Sequence, residues 1–136
     1  MGCNQKELVE RACAARFKAY SPYSNFCVGA ALLCANGKIY DGANIENMSY
    51  GGTNCAERTA FFKAVMDGER DFSAIAIVGA RKGEEIKGLC APCGICRQVM
   101  AEFCGPEFEI VLYDGQQIKT YTLESLLPES FSKEVL

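Results

Sequence analysis

At 136 residues, 49% of them hydrophobic, the chain has room for one compact domain with its own core, and a single domain over residues 1–136 is expected. Fourteen basic against seventeen acidic side chains leave a formal charge of −3 and no basic cluster to track a phosphate backbone, which argues against a nucleic-acid polymer as partner. The longest apolar run, Phe26 to Ala35, is well short of the roughly 20 residues that span a bilayer, no signal-peptide pattern opens the chain, and Lys6 stands where N-myristoylation at Met1-Gly2 wants Ser or Thr, so a cytoplasmic protein without membrane attachment is expected.

Asn4 with Glu7 has the form of a capping box, and Leu8, Val9, Ala12, Ala15 and Ala19 recur at helical spacing, which predicts an opening helix to about Tyr20, ended by Pro22. Phe26 to Cys34 and Lys38 to Gly42 are apolar and strand-like on either side of Asn36-Gly37, a hairpin-turn pair. Asn44 to Asn54 is polar and glycine-bearing and reads as a loop. Thr53 or Asn54 then caps a helix from about Cys55 to Asp67, with Glu57 in its first turn. Phe72 to Val78 reads as a buried strand, Arg81 to Gly88 as a charged loop, and Pro92 as the first position of a helix from about Cys93 to Cys104. A strand at Phe108 to Tyr113, a turn at Asp114-Gly115, a strand at Ile118 to Tyr121 and a short helix around Leu123 to Leu127 follow. A leading hairpin and then alternating strands and helices predict an α/β fold with a mixed sheet between helices.

Nine cysteines are an odd number at irregular spacings, several within apolar patterns, so they divide into metal ligands and ordinary thiols rather than a secreted disulfide framework. Cys55-Ala56-Glu57 and Pro92-Cys93-Gly94-Ile95-Cys96 together offer three thiolates and one carboxylate. Three protein ligands leave a zinc ion one position for water, the arrangement of a catalytic site, whereas a fourth ligand closes it. Cys93 and Cys96, three residues apart, share a helix face, and free amides at a helix N-terminus favour their thiolates; Cys55 has the same kind of position on the other helix. Three thiolates on one divalent ion leave a net negative charge that blunts acidification of a bound water. A cation donating to sulfur offsets this, and Arg58 and Arg97 are the candidates. The chain has no histidine, so Glu57, two residues past Cys55, is the default proton carrier.

Two alternatives stay open on the residues alone. Cys93 and Cys96 could be a redox pair. Cys90, spaced from Cys93 as Cys96 is, could complete a structural four-cysteine site, although Pro92 separates it from the helix that carries the other two. Cys3, Cys13, Cys27, Cys34 and Cys104 read as ordinary buried or surface thiols.

The metal motif resembles the zinc deaminase signature in its all-cysteine form. Taken with Pro22-Tyr23-Ser24, Phe26, Val28-Gly29-Ala30-Ala31-Leu32, Asn44-Ile45-Glu46-Asn47 and Cys55-Ala56-Glu57-Arg58-Thr59-Ala60, it resembles the short, homotetrameric cytidine deaminases, a likeness running from about Leu8 to Phe131. That resemblance implies a three-layer α-β-α sandwich around a mixed five-stranded sheet, and hydrolytic deamination of cytidine and 2′-deoxycytidine in pyrimidine salvage. It implies one zinc per subunit on Cys55, Cys93 and Cys96, with Glu57 activating water and shuttling protons. Phe26 would pack against the pyrimidine, Asn44 and Glu46 would hydrogen-bond the ribose 3′-hydroxyl, and Ala56 would line the substrate. Tyr50 and Phe131 would complete a neighbouring subunit's site, and Arg58 would donate to zinc-bound sulfur. Ala91, where serine is common, and the lead-in Gly51-Gly52-Thr53 depart from the family pattern and bear on fine substrate preference. A blasticidin-type deaminase would share the metal motif but take a base carrying a different sugar.

Overall fold

The computed structural model describes residues 4–135, so the readings at Met1-Gly2 and Cys3 lie outside the described residues. Helix α1 (Gln5–Ala15) begins on the expected capping box: the Asn4 side chain accepts from the Glu7 amide at 2.8 Å, and the Glu7 carboxylate accepts from the Asn4 amide at 3.5 Å. It ends earlier than the apolar spacing suggests. The chain tightens into a 3₁₀ turn at Arg16–Lys18 before Pro22, with the Ala19 amide bonded to the Arg16 carbonyl at 3.2 Å.

Strand β1 (Phe26–Cys34) and β2 (Ile39–Ala43) form the expected hairpin across Asn36-Gly37. Helix α2 (Ala56–Met66), β3 (Phe72–Arg81), α3 (Gly94–Phe103), β4 (Glu109–Tyr113), β5 (Ile118–Thr122) and the single turn α4 (Leu123–Leu126) follow. The strands make one five-stranded sheet in the order β2-β1-β3-β4-β5. Only the β3–β4 pair is parallel, joined by a crossover through α3; the others are antiparallel, so the sheet is mixed. β3 continues three residues beyond the expected end at Val78, because β1 pairs with it as far as Phe26 opposite Arg81. Long-range pairing, not local composition, sets that end.

The period-2 alternation of the central strands sorts side chains onto two faces. Ala31, Ala74, Ala76, Val78 and Val111 face one way and pack with Leu8, Val9 and Ala12 of α1. Ala30, Leu32, Ile75, Ile77, Ile110 and Leu112 face the other way, beneath α2 and α3. The result is the α-β-α three-layer arrangement. On the second face Phe61 of α2, fully buried, meets Phe72 at 5.1 Å between ring centroids, Phe108 at 6.0 Å and Phe103 of α3 at 6.2 Å. Burying one such ring stabilises by about 1.5–3 kcal/mol, and aromatic pairing adds about 0.5–1.5 kcal/mol. This cluster locks α2 to α3 and so fixes where their N-termini meet.

Gly42 brings α2 onto the edge of the sheet. A Cβ there would lie 2.3 Å from the Ala56 carbonyl oxygen and 2.7 Å from the Ala60 amide nitrogen, so the helix backbone rests directly on β2. The segment between them is more ordered than its polar, glycine-bearing composition suggests. Ile45 bridges Tyr20 on one side and Asn54 on the other, and Tyr50–Gly52 form a 3₁₀ turn. That double bridge holds Asn44, Glu46 and Cys55 in one neighbourhood.

Candidate active site

Cys55 and Cys93 stand at the N-cap positions of α2 and α3, so each helix begins one residue later than the sequence reading places it. Thr53 and Asn54 do not cap α2: Asn54 is held in the bridge to Ile45, and its side chain donates to Thr59 Oγ1 at 2.9 Å. Pro92 precedes the cap of α3 instead of opening the helix, and it is fully buried. Both cysteines have extended backbone, and neither side chain makes a capping hydrogen bond. Their sulfurs turn toward each other instead, and Cys96, one turn into α3 and 1% exposed, completes the group.

The three sulfurs lie within 4.8 Å of one another, with Cys55 to Cys93 at 3.8 Å and Cys93 to Cys96 at 3.5 Å. A tetrahedral zinc ion with Zn–S bonds of about 2.3 Å puts its sulfurs about 3.8 Å apart, so the spacing and the donor set fit this metal. A disulfide needs about 2.05 Å, and all eight described cysteines are free. Cys93 and Cys96 are joined by a third sulfur, that of Cys55, which a two-thiol redox pair does not call for and a metal site does.

Cys90 stays out of the cluster. Its sulfur lies 2.8 Å from the point a Cβ on Gly79 of β3 would occupy, a point equally close to Cε2 of Phe26. Burial first, then the charges of Glu57 and Cys55, push its thiol up to about 12. The exclusion is one of position: its sulfur is seated on β3, outside the group of three. Three ligands remain, which leaves the fourth coordination position open.

The charges around the cluster oppose one another. The Cys55 thiol is pushed down to about 5, foremost by a hydrogen bond from the Cys96 thiol and also by Arg58, while Cys96 is pushed upward by the same shared bond and by burial. Arg58 Nη2 donates to Cys55 Sγ at 3.3 Å and to the Thr53 carbonyl at 3.5 Å. Its buried Nε has no partner among the described residues. Arg97, the other candidate, instead braces the backbone, donating from Nε to the Pro92 carbonyl at 2.7 Å and from Nη1 to the Leu126 carbonyl at 2.6 Å. Glu57, in the first turn of α2, is only 4% exposed. Desolvation, with the charge of Cys55 behind it, raises its carboxyl from 4.5 to about 7 against the pull of its own backbone amide and Arg58.

Beside the cluster, Asn44 straps the start of β1: its Oδ1 accepts from the Val28 amide at 2.8 Å and its Nδ2 donates to the Phe26 carbonyl at 2.9 Å. An amide has two N–H donors, and the Phe26 carbonyl takes one. Glu46 accepts from the amides of Tyr23 at 3.0 Å and Ser24 at 3.1 Å and from the Ser24 hydroxyl, and that hydroxyl bond, foremost, holds its carboxyl below the ordinary range. Tyr23, Ser24, Glu46, Asn47, Tyr50 and Thr53 line a cavity of about 250 Å³. Phe26 is 37% exposed. Ala56, the first residue of α2, is fully buried.

Tyr50 and Phe131 point outward, 79% and 69% exposed, Tyr50 meeting Tyr23 edge-on at 6.4 Å and the Phe131 carbonyl accepting from Gln98 at 3.1 Å. The sequence reading names Ser24 only within the Pro22-Tyr23-Ser24 motif and gives it no role, though it orients Glu46; it does not single out Gly79, which makes room for Phe26 and Cys90. Ser24 lies beside a proline and a tyrosine in a turn, with no local signal of its partner.

The family profile described as the cytidine and deoxycytidylate deaminase zinc-binding region matches residues 3–112. A cytidine deaminase of Sporosarcina psychrophila is 51% identical over 96% of this chain and 93% of its own length, and one of Halalkalibacterium halodurans is 49% identical over 96% of each. A crystal structure of cytidine deaminase from Burkholderia pseudomallei superposes with a TM-score of 0.87 at 50% identity, covering 95% of this chain and all of that one. With three sulfurs spaced for one zinc ion and a buried glutamate against them, the chain belongs to the cytidine and deoxycytidylate deaminase family.

Proposed function

We propose that the chain catalyses zinc-dependent hydrolytic deamination of cytidine and 2′-deoxycytidine to uridine and 2′-deoxyuridine, a pyrimidine-salvage reaction. The observation that carries this is Glu57: a carboxyl buried against an open three-cysteine zinc site, held near pH 7, can both accept and return a proton. Zinc held by Cys55, Cys93 and Cys96 supplies Lewis-acid activation of a water. Glu57 takes a proton from the attacking water and passes it to N3 of the pyrimidine; it then takes the second proton from the hydroxyl now on C4 and delivers it to the amino nitrogen, so that the C4–N bond breaks, a carbonyl is left at C4 and ammonia departs. Arg58 offsets the charge of the thiolates through Cys55. Arg97 acts at one remove, by fixing Pro92 and with it the approach to Cys93.

Phe26 packs against the base, and the exposed part of its ring supports this. Asn44, through its second N–H, and Glu46 hydrogen-bond the ribose 3′-hydroxyl, and the Ala56 backbone lines the substrate. The catalytic unit is a single domain over residues 1–136 and works as a homotetramer in which Tyr50 and Phe131 complete a neighbour's site. Large exposed side chains support this assembly: besides those two, Phe17, Met48 and Met66 are 75%, 78% and 89% exposed. Among the described residues no helix is long and apolar enough to cross a membrane. A cytoplasmic location accords with the eight free cysteines.

The test is loss of cytidine absorbance in the ultraviolet by purified protein, with metal analysis and blasticidin S as a second substrate. One zinc per chain and turnover of cytidine and deoxycytidine are expected. Intact cytidine alongside turned-over blasticidin S overturns the substrate assignment.

A further inference from the structure

Phe26 opens β1, and its backbone is held at both ends: its amide is bonded to Ser24 Oγ at 3.0 Å, and its carbonyl accepts from Asn44 at 2.9 Å. With the backbone fixed, the angle of the ring depends on what it lies against. That surface is Gly79 on the neighbouring strand β3. The point where a Cβ on Gly79 would stand is 2.8 Å from Phe26 Cε2, 2.8 Å from Cys90 Sγ and 3.2 Å from Cys90 Cβ. Two side chains from distant parts of the chain therefore share a gap that exists because β3 carries no side chain there. Sulfur at the edge of an aromatic ring is a favourable contact. Cys90 is itself held in place by the buried Pro92, whose carbonyl Arg97 grips at 2.7 Å.

We propose that Cys90 is a positioning residue: its sulfur, seated on the bare backbone of Gly79, sets the tilt of the Phe26 ring and thereby how tightly the site holds a flat pyrimidine. This rests on the reading of Phe26 as the surface against the base. It gives Cys90 a role in substrate affinity and none in metal binding, consistent with its place outside the sulfur cluster. The proton carrier and the metal ligands lie on α2 and at the start of α3, so a change at Cys90 should alter binding of the ground state far more than the chemical step.

The experiment measures KM, kcat and zinc content with cytidine for the parent protein and for Cys90→Ala, Cys90→Val and Cys104→Ala. Cys104 serves as the control because it is another thiol packed against the same core cluster, away from Phe26. Cys90→Ala should raise KM roughly two- to tenfold, as expected for loss of a sulfur–aromatic contact, with kcat within about twofold of the parent. Zinc should stay at the parent level. Cys90→Val, which refills the seat, should return KM toward the parent value, and Cys104→Ala should leave it there. An unchanged KM in Cys90→Ala, or an equal rise in Cys104→Ala, overturns the proposal while leaving the deaminase reading intact. So does a Cys90→Val protein no better than Cys90→Ala. A parent protein that leaves cytidine intact overturns the functional reading and this inference with it.

Discussion

Replacing Glu57 with glutamine keeps the volume of the side chain and removes its proton chemistry, so stability and turnover should move in opposite directions. The Glu57 carboxyl is 4% exposed, and burial raises it from 4.5 to about 7. At about 1.4 kcal/mol per pKa unit, that difference corresponds to about 3 kcal/mol between the folded and unfolded metal-free chain. The folded chain binds this proton more tightly than the unfolded one. Below pH 4.5 both states are protonated and the group is neutral to the balance. As pH rises from 4.5 through 7 the unfolded chain gives up its proton first, and the folded state loses about 3 kcal/mol in all. Glutamine carries no charge at any of these values. The metal-free Glu57→Gln protein should therefore match the parent near pH 4.5 and exceed its stability by about 3 kcal/mol at pH 8. The charge of Cys55 is part of what raises the Glu57 carboxyl, so the figure of about 3 kcal/mol covers the interacting pair. Urea unfolding across this range in the presence of a chelator reads the effect. In the zinc-loaded form the same variant should keep its metal and lose about 10²–10⁴-fold in turnover. Equal stabilities at pH 8, or turnover within tenfold of the parent, would refute the reasoning.

Two further substitutions test how the site is held. Gly42→Ala places a methyl 2.3 Å from the Ala56 carbonyl, so α2 must move off β2; a loss of about 1–3 kcal/mol in unfolding free energy and weaker zinc binding are expected, and unchanged thermal unfolding would contradict the close approach. Arg58→Ala removes the cation beside Cys55, whose thiol then ionises less readily. Zinc affinity should fall roughly 10–100-fold, and acid should strip the metal at a higher pH than from the parent, because protons compete better for a more basic sulfur. A zinc-binding dye followed against pH reads the release, and coincident curves would show that Arg58 does not act on the cluster.

Helix α1 was legible in the chain because its signals are local: a capping box from Asn4 to Glu7 and an apolar stripe within one element. The β1–β2 hairpin was legible for the same reason, its turn and alternation lying within a few residues of each other. The long end of β3 was not, since Gly79, Ala80 and Arg81 become strand only by pairing with β1, some fifty residues earlier in the chain. Nor were the helix caps. Cysteine is a poor capping residue, and what places Cys55 and Cys93 there is the packing of Phe61 against Phe103 and of α2 against Gly42, contacts that no window of sequence contains.

By itself the sequence determined the chemistry on offer: three thiols at metal-ligand spacing, one carboxyl beside them, and no histidine to compete as proton carrier. Which thiols meet was a question of distance between two helix starts, and only the tertiary structure could decide it. Cys90 has the same spacing from Cys93 as Cys96 has, so spacing does not rank them, and in the chain only Pro92 and the family resemblance weigh against Cys90. The fold does so by turning Cys96 inward from the first turn of α3 while Pro92 directs Cys90 back onto β3. Burial decides the rest. A glutamate in the sequence is an ordinary acid, and it is the removal of water around Glu57 by the packed helices that raises its carboxyl to the range where a proton can pass both ways.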